Sequence, residues 1–215
     1  MRTLTEWEVK IFLEAASSSP YYPVYYTAIS SGLRQAELCG LRWRDLDLDK
    51  LSISVSHVLL KRRGVAQFMQ PKTSQSRRRV TMTDNLAKFL KDHKASKETL
   101  YWRLAGKPLP LDSPVFGFLD KPCDPSILSH NFATIAKRAG LEGVRFHDLR
   151  HTFASLMLMK GAPAKVISEA LGHTSVAFTM QTYAHVLSGM QEKAMELLNE
   201  ILPEGARQTG TFLAP

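Results

Sequence analysis

A chain of 215 residues with 44% hydrophobic and 22% charged side chains can bury a sizeable core, which excludes a disordered or collagen-like polymer. A net charge of +8 favours an anionic partner such as nucleic acid, and no run of about 18 apolar residues offers a membrane span. Cys39 and Cys123 lack metal-ligand spacing, and the N-terminus opens with Arg2, Thr3 and Glu6 rather than an apolar signal core. We therefore expect two small buried thiols and a cytoplasmic protein with no membrane attachment.

The predicted elements are mainly helical, interrupted by one small β region. Thr5 and Glu8 have capping-box spacing, and Trp7, Ile11, Phe12 and Ala15 recur at helical intervals to Ser17. A second helix is predicted from Val24 to Ser30. Gly32 ends it, and a short third helix begins around Leu33–Leu38, with Arg34 at its start. Leu51, Ile53, Val55 and His57 alternate with serines, the period of a half-buried strand. Two more strands are placed near Val65–Gln70 and Arg79–Met82, with Pro71 to Ser76 as the turn between them. The expected sheet is three-stranded and antiparallel.

Thr83 or Asp84 caps a helix that buries Leu86, Phe89 and Leu90 and runs toward Trp102. Residues 105 to 125 are rich in glycine and proline and read as surface loop around Val115 and Phe116. Asp124-Pro125 supplies the cap and first position of a helix that Gly140 closes. Helices are then predicted over His147–Lys160, Pro163–Leu171 and Ser188–Ile201, the first two closed by Gly161 and Gly172. Residues 203–215 form a polar tail.

Charge is distributed unevenly. From Lys61 to Arg79 there are seven lysines and arginines and no acid, whereas acids gather at Asp45, Asp47 and Asp49. Lys61, Arg62, Arg63, Arg77, Arg78 and Arg79 are accordingly candidate contacts for a nucleic-acid backbone, with a solvated hairpin as the plainer reading.

His147 and Arg150 stand three residues apart, on one side of a helix, so both can reach one charged group. His147 and His151 also have the i,i+4 spacing of a zinc metalloprotease motif. A zinc hydrolase is the weaker reading. Asp148 is shorter than the usual glutamate base, Arg150 would set a cation beside a cation, and no third ligand is evident.

Five motifs occur in one order: Ser31-Gly32-Leu33-Arg34-Gln35-Ala36-Glu37-Leu38, Pro71-Lys72-Thr73, His147-Asp148-Leu149-Arg150-His151, Leu171-Gly172-His173 and Thr182-Tyr183-Ala184-His185. The series resembles that of the tyrosine recombinases, the phage integrase family, over nearly the whole chain. The resemblance implies a mainly helical α+β catalytic domain over residues 1–202. It implies a site-specific recombinase or integrase that cleaves and rejoins DNA through a 3′-phosphotyrosyl intermediate.

By that resemblance Tyr183 is the nucleophile, Arg34 and Arg150 clamp the phosphate, His147 and His173 assist, and Lys72 protonates the leaving 5′ oxygen. The chemistry fits these residue types. A phenol has a pKa of roughly 10 and attacks poorly at neutral pH without help, which Arg34, Arg150 and His147 are expected to supply. A guanidinium stays charged and donates in parallel to two phosphate oxygens. Glu37, one turn after Arg34, is expected to hold that guanidinium. His151 and His185 are read as packing or hydrogen-bonding residues.

No cofactor and no metal are implied, because the covalent link conserves the energy of the broken bond. The implied partners are double-stranded DNA and further copies of the chain, as a homotetramer during synapsis. A relaxing enzyme of the type IB topoisomerase kind shares these groups and is the alternative. Members of the family usually carry an N-terminal core-binding domain, and none precedes Thr5 here, so the chain is expected to be a catalytic fragment that binds DNA weakly through phosphates. The tail is a candidate exchanged segment.

Overall fold

Helix formation starts where the cap chemistry places it. In the computed structural model, which describes residues 2–62, 65–70, 77–184, 186, 195–196 and 201–202, α1 spans Glu6–Ala16 behind a complete Thr5–Glu8 capping box. Helix α2 spans Tyr22–Ser31 with Pro23 in its first turn, and Gly32 ends it at φ 64°, a left-handed conformation that favours glycine. Helix α3, Gln35–Cys39, follows at once.

The sheet is three-stranded and antiparallel, as predicted, but one strand differs. Strand β1 is Leu46–Asp47, β2 is Ser52–Val55, and β5 is Arg78–Thr81, in the order β1-β2-β5 with Leu46 opposite Ile53 and Ile53 opposite Val80. The predicted strand at Val65–Gln70 instead forms β4, Val65–Met69, which pairs only with β3, Val58–Arg62, as a separate hairpin. The reason lies at Ser56 and His57. Ser56 Oγ donates to Asp45 Oδ1 at 2.8 Å, and this polar contact turns the chain out of the ladder before Val58. Leu51 lies outside β2 as well, since its φ of 52° belongs to a turn.

Helix α4, Asp84–Ala105, is capped by Thr83. A short β6–β7 hairpin, Gly117–Phe118 and Lys121–Pro122, sits in the expected loop region. Helix α5, Pro125–Arg138, is capped by Asp124, which accepts from the Ser126 and Ile127 amides. Helices α6, Asp148–Met159, α7, Ala164–Leu171, and α8, Val176–Thr182, complete the described chain. The helix expected over Ser188–Ile201 falls almost wholly outside the described residues. So do the Pro71–Ser76 turn and residues 203–215.

Two apolar clusters hold the elements. The larger joins α1, α2, α4 and α5 with the Ile53–Val55–Val80 face of the sheet, centred on Phe12, Tyr25, Phe132 and Phe146. Phe12 and Phe132 stand 4.8 Å apart, and Tyr25 meets Phe146 at 6.1 Å. Burying such rings contributes about 1.5–3 kcal/mol each and fixes the chain just before His147. The smaller cluster lies between α6 and α7 and contains Ala154, Leu158, Ile167, Leu171 and Tyr183. Cys39 and Cys123 are free, buried and adjacent. Neighbouring Cys123, together with burial, pushes the Cys39 thiol up.

Candidate active site

The C-terminal end of α7 gathers the site. A helix leaves its last carbonyls without intrahelical partners and with partial negative charge, so cations settle there. Three consecutive carbonyls do this here. Ala170 O accepts from Arg78 Nε at 2.6 Å, Leu171 O from Arg150 Nη2 at 2.6 Å, and Gly172 O from Arg34 Nη2 at 3.3 Å.

Each arginine comes from a different element. Arg34 is the extended residue before α3 (φ −69°, ψ 152°), and its amide donates to Glu37 Oε2 at 2.7 Å. Arg150 lies one turn into α6 and is 4% exposed, with Nη1 donating to Gly32 O at 2.7 Å. The left-handed turn at Gly32 aims that carbonyl. A Cβ there would collide with Phe153 and Leu171. Arg78 comes from β5 and joins Glu37 through two prongs of 2.8 and 3.0 Å. Glu37 also accepts from Arg34 Nη1 at 2.9 Å, so one carboxylate touches both guanidinium groups.

Electrostatics follow from this count. Among the described residues the cluster holds three guanidinium groups, Arg34, Arg78 and Arg150, and one carboxylate, Glu37, so these four side chains are net positive. Burial pushes Glu37 up, yet the Arg78 contacts outweigh it and its pKa lies below the usual carboxylate value. Burial, then repulsion from Arg34, lowers Arg150. An anion between Arg34 and Arg150 relieves that repulsion.

Two histidines and the tyrosine sit beside this cluster. His173 follows the left-handed Gly172, shares a 2.7 Å hydrogen bond with Thr179 Oγ1, and meets Phe178 edge to face. Burial, then Arg150 and Arg34, lower His173 to about 4, so its ring is neutral. His147, just before α6, is exposed and meets His151 edge to face at 5.0 Å. Tyr183 caps the end of α8 and is fully buried. Its Oη shares a 2.9 Å hydrogen bond with His151 Nδ1. Burial lifts the phenol to about 12, while Arg150 draws it down.

The described residues thus bring Arg34, Glu37, His147, Arg150, His173 and Tyr183 into one region. Lys72, Arg63 and His185 lie outside the described residues. Of the other candidate DNA contacts, Arg77 and Arg79 are exposed, Arg62 closes β3, and Lys61 pairs with Asp124 Oδ2 at 2.9 Å. Arg78 departs from the expectation of an outward cation, because its side chain is 7% exposed and spent on Glu37 and Ala170. Strand alternation carried that signal: Arg78 shares a face with Val80, whereas Arg79 points away. The sequence reading of His151 as a packing or hydrogen-bonding residue names no partner, and the structure places it against Tyr183 Oη.

The model of the phage integrase family matches residues 2–190. A tyrosine recombinase XerC-like protein of Caldanaerobacter subterraneus is 29% identical, over 94% of this chain and 54% of that protein. The ICEBs1 integrase of Bacillus subtilis is 32% identical, over 84% of this chain and 49% of that protein. This chain therefore spans about half the length of these curated relatives. Among solved structures, XerA recombinase superposes with a TM-score of 0.68 at 27% identity, covering 90% of this chain and 65% of that one. The Tn1549 transposon integrase in complex with circular intermediate DNA gives a TM-score of 0.70 at 25% identity, covering 92% of this chain and 67% of that one. The chain belongs to the phage integrase family, the tyrosine recombinases.

Proposed function

We propose that residues 1–202 are the catalytic domain of a site-specific recombinase or integrase that cleaves and rejoins double-stranded DNA through a 3′-phosphotyrosyl link to Tyr183. The observation that carries this reading is the convergence of Arg34 and Arg150 on adjacent carbonyls, Gly172 O and Leu171 O, with net positive charge left over and Tyr183 alongside. Two of the five N–H donors of Arg150 go to backbone carbonyls. The remaining donors serve the non-bridging oxygens of a phosphodiester.

In this reading the scissile phosphate sits between the two guanidiniums, which offset the charge that builds on its oxygens as the phenolic oxygen attacks. His173, neutral and tethered to Thr179, donates to a non-bridging oxygen, with His147 at the outer edge. Lys72 gives the departing 5′ oxygen its proton. No cofactor enters the reaction. Synapsis joins four copies of the chain on two duplexes, and the DNA-bound Tn1549 integrase supports a DNA partner. Because phosphate contacts dominate, affinity falls steeply with salt.

The test is incubation with a nicked suicide substrate, which traps the covalent intermediate. Wild-type protein gives a protein–DNA adduct, Tyr183→Phe gives none, and Arg34→Ala or Arg150→Ala forms it about 100- to 1000-fold more slowly. An adduct formed equally well by Tyr183→Phe overturns the assignment.

A further inference from the structure

We propose that Thr179 is a positioning residue that makes His173 a hydrogen-bond donor: its hydroxyl donates to Nδ1 and so leaves the ring proton on Nε2 for a phosphate oxygen. The proposal rests on the reading of His173 as a phosphate ligand and of Tyr183 as nucleophile. Thr179 Oγ1 lies 2.7 Å from His173 Nδ1, and Thr179 is 1% exposed. In a neutral imidazole the bond made at one nitrogen decides which nitrogen carries the proton.

The surroundings of Thr179 set the direction of that bond. A helical threonine can turn its hydroxyl back to the carbonyl four residues earlier, and Thr134, Thr152 and Thr182 do so at 3.0, 2.8 and 2.7 Å. Thr179 makes no such bond among the described residues, and its hydroxyl meets His173 Nδ1 instead. If Nδ1–H donated to Oγ1, the hydroxyl hydrogen would be buried without an acceptor, at a cost of about 1–3 kcal/mol. With the hydroxyl donating, both groups are satisfied.

The ring is held in other ways too. His173 N donates to Ser168 O at 3.0 Å behind the left-handed Gly172, and Phe178 meets the imidazole edge to face at 4.9 Å. Backbone, ring plane and tautomer are thus fixed by three separate contacts. Burial, then Arg150 and Arg34, keep the imidazole neutral, so it has a single N–H to offer. Thr179 occupies Nδ1, which leaves Nε2 as the nitrogen that can meet a phosphate oxygen. A bare lone pair there would repel it.

Thr179 also supports the nucleophile. Its carbonyl accepts from the Tyr183 amide at 3.0 Å, in the last turn of α8. One residue therefore ties the seat of Tyr183 to the donor state of His173. While α8 is docked with Tyr183 in its apolar cluster, His173 is set to donate; if α8 leaves, Nδ1 loses the partner that fixes its tautomer.

The test uses the full chain on the nicked suicide substrate at saturating DNA, with thermal melts as a folding check. Thr179→Val keeps the outline of the side chain and removes the hydroxyl, so the adduct forms about 10- to 100-fold more slowly. Thr179→Ser restores the hydroxyl and recovers most of the rate. A role that runs through His173 is not additive, so in a His173→Ala background Thr179→Val causes no further loss. A wild-type rate in Thr179→Val, a Thr179→Ser variant as slow as Thr179→Val, or the same fold-loss in the His173→Ala background overturns the proposal. Long-range proton–nitrogen correlation spectra of the wild-type chain read the tautomer without variant or DNA: Nε2 of His173 is protonated and Nδ1 is not, and the reverse overturns the proposal. Absence of any wild-type adduct instead removes the reading of Tyr183 and its phosphate site, and this role with it.

Discussion

Arg78 and Glu37 meet 41 residues apart in a two-pronged ion pair, 2.8 and 3.0 Å long, with 7% and 3% of their side chains exposed. The pair ties β5 to the helix that begins at Arg34. Since Arg78 Nε also reaches Ala170 O, a single guanidinium joins β5, the Arg34 helix and the α7 end that precedes His173.

Removing one partner of such a pair leaves an uncompensated buried charge. Glu37→Ala takes the carboxylate away from the buried Arg78 guanidinium, and chemical unfolding is expected to show a loss of about 3–5 kcal/mol. Arg78→Lys keeps the charge but offers no fork, so the loss is smaller, about 1–2 kcal/mol. Adduct formation falls in Glu37→Ala because Arg34 loses its tether. Glu37→Ala stability equal to wild type contradicts the ion-pair account.

Gly32→Ala tests the other support of the cluster. The residue has φ 64°, and a Cβ would run into Phe153 and Leu171 while its carbonyl accepts from Arg150 Nη1. Strain alone costs at least about 1 kcal/mol. The displaced carbonyl also moves Arg150, so cleavage on the suicide substrate is expected to slow by more than the stability loss explains. Unaltered cleavage in a destabilised variant would separate the turn from Arg150.

Local chemistry explains what the sequence revealed and what it hid. Caps at Thr5, Thr83 and Asp124 depend on neighbours three residues away, so α1, α4 and α5 were legible. The Ser56–Asp45 bond that splits the expected strand, and pairs β4 with β3 alone, joins residues 11 apart. No period announces it. In the site, Arg34 and Glu37 were readable because both lie on α3 or its cap. The inward turn of Arg78 was hidden by its charged neighbours Arg77 and Arg79, although Val80 on the same face pointed to it. The His151–Tyr183 contact spans 32 residues and arises from the docking of α8, which sequence reading left undefined.

The two thiols offer a check on the core. Cys39 and Cys123 are 0% and 4% exposed and adjacent, and their contact with burial keeps the Cys39 thiol protonated. Since the thiolate is the reactive form, a disulfide reagent such as DTNB is expected to leave both intact in native buffer and to titrate both after unfolding. Rapid native labelling would show that the α3–α5 junction opens readily.

The neutral histidines predict how stability depends on pH. His151 and His173 are each held at about 4, by burial first, against an ordinary value of 6.5. Between those values the unfolded chain binds protons that the folded chain refuses. Stability is therefore fully present above about pH 6.5 and is lost progressively as pH falls toward 4. Glu37 and Asp148 also lose stabilising contacts in acid, but their folded values lie below the ordinary carboxylate values of 4.5 and 3.8. The interval from pH 6.5 to 5 thus isolates the imidazoles. Urea midpoints should drop across that interval, and His151→Gln and His173→Gln should each flatten the slope, since neither amide titrates. A wild-type midpoint constant from pH 6.5 to 5 would mean that both rings take up protons without penalty, contradicting the buried, arginine-flanked setting.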